Sequence, residues 1–112
     1  MMQDKHEPWK MADGSPVTEP SRFKRVLKYT MHDLGIAVQP LPEGSRVVSF
    51  ILQGGAIQMY AEVPIEKRPM EARRFVVLYT GHQAVPNDAE FLGTVPSEGG
   101  NIVRHVYELR TP

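Results

Sequence analysis

Apolar and polar positions alternate along this chain over short runs, and proline and glycine cut the runs apart. Residues 56–63 show it best: Ile57, Met59, Ala61 and Val63 fall on one side, Gln58, Tyr60 and Glu62 on the other. A period of two marks a half-buried strand, because successive side chains point to opposite faces. Residues 46–53 precede that strand across Gly54-Gly55. Two apolar-rich runs joined by a glycine pair predict a β-hairpin. The first of them is apolar on both faces, at Val47-Val48 and Phe50-Ile51-Leu52. That predicts a central strand or one covered by a second layer.

The same reading extends to both ends. Residues 23–31 put Phe23, Leu27, Tyr29 and Met31 on one side and Lys24, Lys28 and Thr30 on the other, with a break at Arg25 and Val26. Residues 32–35 read as a loop and residues 36–41 as a short strand. Pro40 cannot donate a ladder hydrogen bond, so that strand belongs at an edge or ends nearby. Pro42-Glu43-Gly44-Ser45 predicts a turn, and residues 64–71 a charged connection with one helical turn at most.

Residues 73–80 are β-branched and aromatic, with Phe75, Val76, Val77, Leu78 and Tyr79 apolar on both faces. They predict a buried strand whose first role is to be core, with Thr80-Gly81-His82 turning the chain out of the sheet. Pro86-Asn87-Asp88 is a turn. Residues 90–95 form a strand in which Gly93 marks a bulge or a close backbone approach. After a glycine-rich turn at 96–100, residues 101–109 form the last strand, with Val103, His105, Tyr107 and Leu109 on the face read as inward.

Seven short strands spaced by turns, and no convincing helix, predict an all-β fold: a single antiparallel β-sandwich or open barrel. Residues 1–20 show no period and hold one large apolar group, Trp9. They predict a flexible N-terminal tail, or an arm that lays Trp9 on a neighbouring subunit. Residues 21–112 then make one β domain.

Composition narrows the function classes. A chain of 112 residues is one domain, long enough to bury about 60–70% of its unfolded surface. Thirteen basic and thirteen acidic side chains cancel, so no global field draws it to nucleic acid or anionic lipid. With no cysteine there is no disulfide, thiolate nucleophile or thiolate metal ligand, which fits a reducing cytoplasm. No signal-peptide core and no membrane-length apolar run is seen. The expectation is a soluble, intracellular protein.

From residue 26 to residue 109 the chain resembles a small family of uncharacterised domains found in phages and in prophage-bearing bacteria. Lys28-Tyr29, Leu41-Pro42-Glu43-Gly44-Ser45-Arg46-Val47 and Gln53-Gly54-Gly55 carry the resemblance, with Met59-Tyr60-Ala61-Glu62-Val63 and Arg74-Phe75. It continues through Thr80-Gly81-His82, Phe91-Leu92-Gly93-Thr94 and His105-Val106-Tyr107-Glu108-Leu109. Tyr60 departs from it, since the family pattern usually has tryptophan there. The resemblance implies context and no chemistry: a phage or prophage accessory protein in the host cytoplasm or on the virion.

Candidate chemistry is thin. The four histidines, His6, His32, His82 and His105, stand at no metal-ligand spacing, so no metal or cofactor is expected. His105 reads as a core histidine whose nitrogens are met by backbone or threonine. Thr80 and His82 imitate a nucleophile and base, but no carboxylate is in sequence reach to orient the imidazole. Scattered glutamates offer no acid–base pair. Gly54-Gly55 and Gly99-Gly100 lead into no helix and so cradle no phosphate. No catalytic residue is assigned and the chain reads as a non-enzyme, with a small enzyme centred on Thr80, His82 and His105 as a further function class.

Two candidate binding sets remain. Tyr60, Arg74, Thr80, Gly81 and His82 form a contact site if the fold gathers them. Lys24, Arg25, Lys28 and Arg73, from basic runs at 22–28 and 67–74, form a basic patch if their strands lie together; otherwise they are solvated faces. The expected function is non-catalytic protein–protein contact through a sheet face or edge, with another protein or with itself. As a phage accessory it would serve the virion or inhibit a host process. The alternative is a nucleic-acid or phosphate-ligand module using the two basic runs. No membrane partner is expected.

Overall fold

The computed structural model describes residues 9–31 and 35–110. The chain forms β1 (Lys24–Met31), β2 (Gly35–Pro42), β3 (Arg46–Gln53), β4 (Ala56–Pro64), β5 (Met70–Tyr79), β6 (Glu90–Pro96) and β7 (Val103–Glu108). They build two antiparallel sheets, one of three strands in the order β1-β4-β3 and one of four in the order β2-β5-β7-β6. The sheets do not close into a barrel, so the fold is the sandwich of the two architectures expected. One 3-10 turn, Pro20–Arg22, precedes β1. No described helix is long and apolar enough to cross a membrane, which leaves β-barrel spans unaddressed.

Between the sheets lie Met31, Leu41, Ile57, Met59, Phe75, Val77, Val95 and Val106, all buried, with Phe50 and Leu92 packed against them. Each fully buried side chain of this size stabilises the fold by about 1.5–3 kcal/mol. The β3–β4 hairpin turns at Gly54 and Gly55, with φ of 62° and 81°. Two successive positive φ values are the type I′ turn that glycine makes without Cβ strain.

Breaks in the alternation have two different causes. In β3 the pairing shifts between Val47 and Ser49, so Val48 is an extra residue and both Val47 and Phe50 face inward. In β6 the shift falls between Phe91 and Gly93, which frees Leu92 to reach the core while Phe91 points out. β1 has no bulge: its register against β4 is continuous. Val26 simply faces solvent, and Arg25 lies on the inner side beyond the core, 4.5 Å from the Trp9 ring centroid.

Several expectations are corrected. β3 is an edge strand, not a central one; one apolar face meets β6 across the sandwich and the other leaves Val48 and Ile51 exposed. The inward residue of β7 is Val106, completely buried. By the period of two, Val103, His105 and Tyr107 therefore face outward, and His105 is not a core histidine. The 65–69 connection carries no helical turn, and β5 starts earlier than expected, at Met70. Apart from these corrections, Trp9 stacks on Arg25 of the same chain and stays 44% exposed. Residues 9–17 fold back on themselves through a Lys10–Pro16 bridge. Pro40 does lie on an edge, since β2 borders the four-stranded sheet.

Candidate interaction face

The two outer faces of the sandwich differ in chemistry. On the three-stranded sheet the cross-strand rows read Val26–Glu62–Arg46, Lys28–Tyr60–Ser49 and Thr30–Gln58–Ile51. Glu62 takes Lys24 Nζ at 2.8 Å and Arg46 Nη1 at 3.4 Å. The hydrogen bond from Lys24 holds its carboxyl below the ordinary range, with help from both cations' charges and from Arg46's hydrogen bond. Thr30 Oγ1 donates to Gln58 Oε1 at 2.8 Å, which satisfies a glutamine the strand otherwise buries. Val26, Val48 and Ile51 are the apolar exceptions, each separated from the others by polar neighbours. This face is built for water.

On the four-stranded sheet one row runs Ile36–Val76–Tyr107–Phe91, one residue from each strand. Ile36 is 59% exposed and Phe91 54%, while Val76 and Tyr107 are half-buried. Phe91 and Tyr107 pack edge to face at 5.4 Å. Val38, 58% exposed, flanks the row beside Arg74. Arg74 is the one Asp, Glu, Lys or Arg among the described strand positions of this face. A continuous apolar band across four strands is more than the scattered exposed side chains of an ordinary surface.

One end of that band is polar. His105 Nε2 lies 2.7 Å from Thr80 Oγ1 and its Nδ1 3.1 Å from Thr94 Oγ1. Both ring nitrogens are thus met by threonines on the neighbouring strands, as expected for His105 but on the opposite face. The arrangement ties the end of β5 to β7 and β6 at this end of the band. His82 stacks edge-on against Tyr79 at 5.7 Å. Tyr79, Thr80, His82, Asn101, Ile102 and Val103 line a cleft of about 260 Å3.

Of the sequence candidates, Thr80, Gly81 and His82 share one turn at the rim of the apolar band, and Arg74 sits on the band. Tyr60 does not join them; it lies on the outer face of the other sheet. The basic candidates disperse. Lys24 belongs to the Glu62 network, Arg25 stacks on Trp9, and Lys28 faces solvent beside Tyr60. Arg73 grips Glu108 through Nε and Nη2 at 2.7 and 2.8 Å and donates to the Ser45 carbonyl at 2.7 Å. That pairing raises Arg73's already high pKa. A different basic group does assemble: Arg22, Lys24, Arg46 and Arg68 line one cleft of about 350 Å3 with Glu62. Among the described residues no three His, Cys, Asp or Glu gather to hold a metal; His6 and His32 lie outside those residues.

Sequence reasoning missed Ile36, Val38, Val76, Tyr107 and Phe91 as one surface. Ile36 and Val38 alternate around Ala37, and the two-faced apolar run at 75–79 was a signal, but only the pairing register aligns them.

A family model described as a domain of unknown function, DUF7352, matches residues 23–112. The chain belongs to this family. The DUF7352 match takes in all seven strands and leaves out the Trp9 segment, close to the 26–109 span of the sequence resemblance. No match is found among curated proteins or solved structures.

All four sheet edges of this DUF7352 domain are blunted. β1 carries Lys24, Arg25 and Lys28, β2 carries Pro40 and Pro42, β3 is bulged at Val48, and β6 is bulged at Leu92 and ends on Pro96. Charge, proline and bulges are the usual obstacles to edge-to-edge strand addition. The apolar band has no such protection.

Proposed function

We propose that this DUF7352 domain is a non-catalytic interaction protein that docks another protein, or a second copy of itself, on the outer face of its four-stranded sheet. The Ile36–Val76–Tyr107–Phe91 row carries the reading. Desolvating an apolar band that is otherwise hydrated is favourable in proportion to its area, and aromatic residues are the side chains that most often anchor interfaces. Blunted edges favour the face over strand addition. The phage or prophage accessory setting, as virion component or inhibitor of a host process, rests on the sequence resemblance alone, as does placement in the host cytoplasm.

Light scattering after size exclusion, with pull-down from host lysate, tests it. The wild-type chain is expected to self-associate or to capture a partner, and Phe91→Asp with Ile36→Asp to lose that contact while keeping the fold. A monomer that captures nothing overturns the proposal.

A second reading, a nucleic-acid or phosphate-ligand module, has one observation in its favour: the Arg22, Lys24, Arg46 and Arg68 cleft. Against it, three of these cations already pair with Glu19, Glu62 and Glu66, and Arg46 shares Glu62 with Lys24. A gel shift at low salt decides, and no retardation of single- or double-stranded probes ends this reading.

A further inference from the structure

Arg104 has no carboxylate partner among the described residues. It lies on the inner side of β7, between Tyr79 and Val95 in the register, and its guanidinium carbon stands 5.6 Å from the Tyr79 ring centroid. Its Nη1 is shut off from solvent and meets no hydrogen-bond acceptor. No ion pair with Arg104 forms among the described residues. Every other arginine with an identified polar contact on this molecule (Arg22, Arg46, Arg68, Arg73 and Arg110) has a carboxylate within 3.4 Å. Native proteins seldom leave a shielded guanidinium nitrogen without an acceptor, because the lost hydration is not returned.

The same arginine lines a cleft of about 480 Å3 at the end of the sandwich, between the 54–55 turn of one sheet and the 96–102 turn of the other. Leu52 and Ile102 give it apolar walls, and Ser97 and Asn101 give it polar groups. That volume falls in the range of small-molecule sites, which are concave and carry few, well-placed polar groups. Its two turns leave space open, since a Cβ built on Gly54, Gly55, Gly99 or Gly100 would touch nothing within 4 Å.

We propose that this cleft binds a small organic acid, with the oxyanion on Arg104 and an apolar body against Leu52 and Ile102. A planar guanidinium presents two parallel N–H groups to a carboxylate or phosphate, the strongest pairing open to it. The Nη1 atom is shielded from solvent, so the two-point pairing requires the guanidinium to turn on its side chain as the oxyanion enters. Glu98 is the one carboxylate lining the cleft, and its negative charge opposes an entering oxyanion. The site is separate from the apolar outer face and does not depend on it.

The test is a 1H–15N NMR titration of the full chain with benzoate, phenyl phosphate and neutral benzamide, which share one apolar body. Saturable shifts are expected at the Arg104 Nε–H and at the Ser97, Asn101 and Ile102 amides with benzoate, phenyl phosphate or both, and not with benzamide. A response to benzoate alone identifies a carboxylate ligand, and to phenyl phosphate alone a phosphoryl one. R104Q is expected to weaken binding at least tenfold. E98Q, which leaves Arg104 in place and removes the opposing charge, is expected to tighten it, and serves even if R104Q does not fold. The proposal is overturned by no saturable shift from either anion, by equal shifts from benzamide, or by loss of binding in E98Q.

Discussion

Phe50 of β3 and Gly93 of β6 meet across the gap between the two sheets, so closely that a Cβ on residue 93 would lie 2.9 Å from Cδ2 of the Phe50 ring. This is where the edge strand of the small sheet presses on the edge strand of the large one. Gly93 sits just after the bulge that sends Phe91 outward. The inter-sheet contact and the exposure of Phe91 therefore have one local cause.

Gly93→Ala is expected to destabilise the domain by about 1–3 kcal/mol, since the ring must shift within a filled interior. Phe50→Leu should offset part of that loss, and a double-mutant cycle in denaturant reads the coupling. Strictly additive single costs would mean that the ring and the glycine are independent.

Val76 and Val77 are neighbours on opposite faces of β5. Val77 is 1% exposed, so Val77→Ala is expected to cost about 1–3 kcal/mol. Val76→Ser, half-buried on the outer band, should cost about 1 kcal/mol or less and act mainly on association. Urea midpoints compared with light scattering separate the two effects; equal stability losses would contradict the assignment of faces.

Arg73 and Glu108 are joined by two hydrogen bonds and are largely shielded, with side chains 19% and 13% exposed. Removing one partner, as in Arg73→Met, is expected to cost about 2–4 kcal/mol, because the other charge stays behind without its mate. Arg73→Lys keeps the charge but cannot reproduce the fork, and should fall between wild type and Arg73→Met. The double variant Arg73→Met with Glu108→Leu should lose less than the sum of its parts, as chemical denaturation would show.

Glu62 sets a pH signature. Its folded-state pKa lies below the ordinary glutamate value of 4.5, chiefly through the hydrogen bond from Lys24. A depressed folded value means that the stabilisation is present above 4.5 and is lost as pH falls through the folded value. Glu62→Gln lacks it throughout. The melting-temperature gap between wild type and this variant should hold from about pH 7 to 5 and shrink as the pH falls on below 4.5. A gap unchanged down to pH 3 would show that the network contributes nothing to folding.

How much of this protein could be read from its residues varies with the range of the interaction. Strand positions, the Gly54-Gly55 hairpin, the edge placement of Pro40 and the special role of Gly93 were all legible, because each depends on local backbone rules: a period of two, positive φ, a missing donor, a missing Cβ. The sequence alone determined an all-β antiparallel fold of seven short strands in this sense, and left sandwich or open barrel to the tertiary structure. Which face of each strand meets the core was legible only where the alternation was clean, as in β4. In β3 and β6 a single extra residue shifted the faces, and in β7 apolar residues on both sides left the choice to the partner strand. Only the tertiary structure decided that Ile36, Val76, Tyr107 and Phe91, drawn from four strands, align in one exposed row. Only it placed Arg104 in a cleft with its Nη1 unpaired, and carried Tyr60 away from Thr80 and His82. Register and sheet membership are set by long-range pairing, and a one-residue slip reverses every side chain.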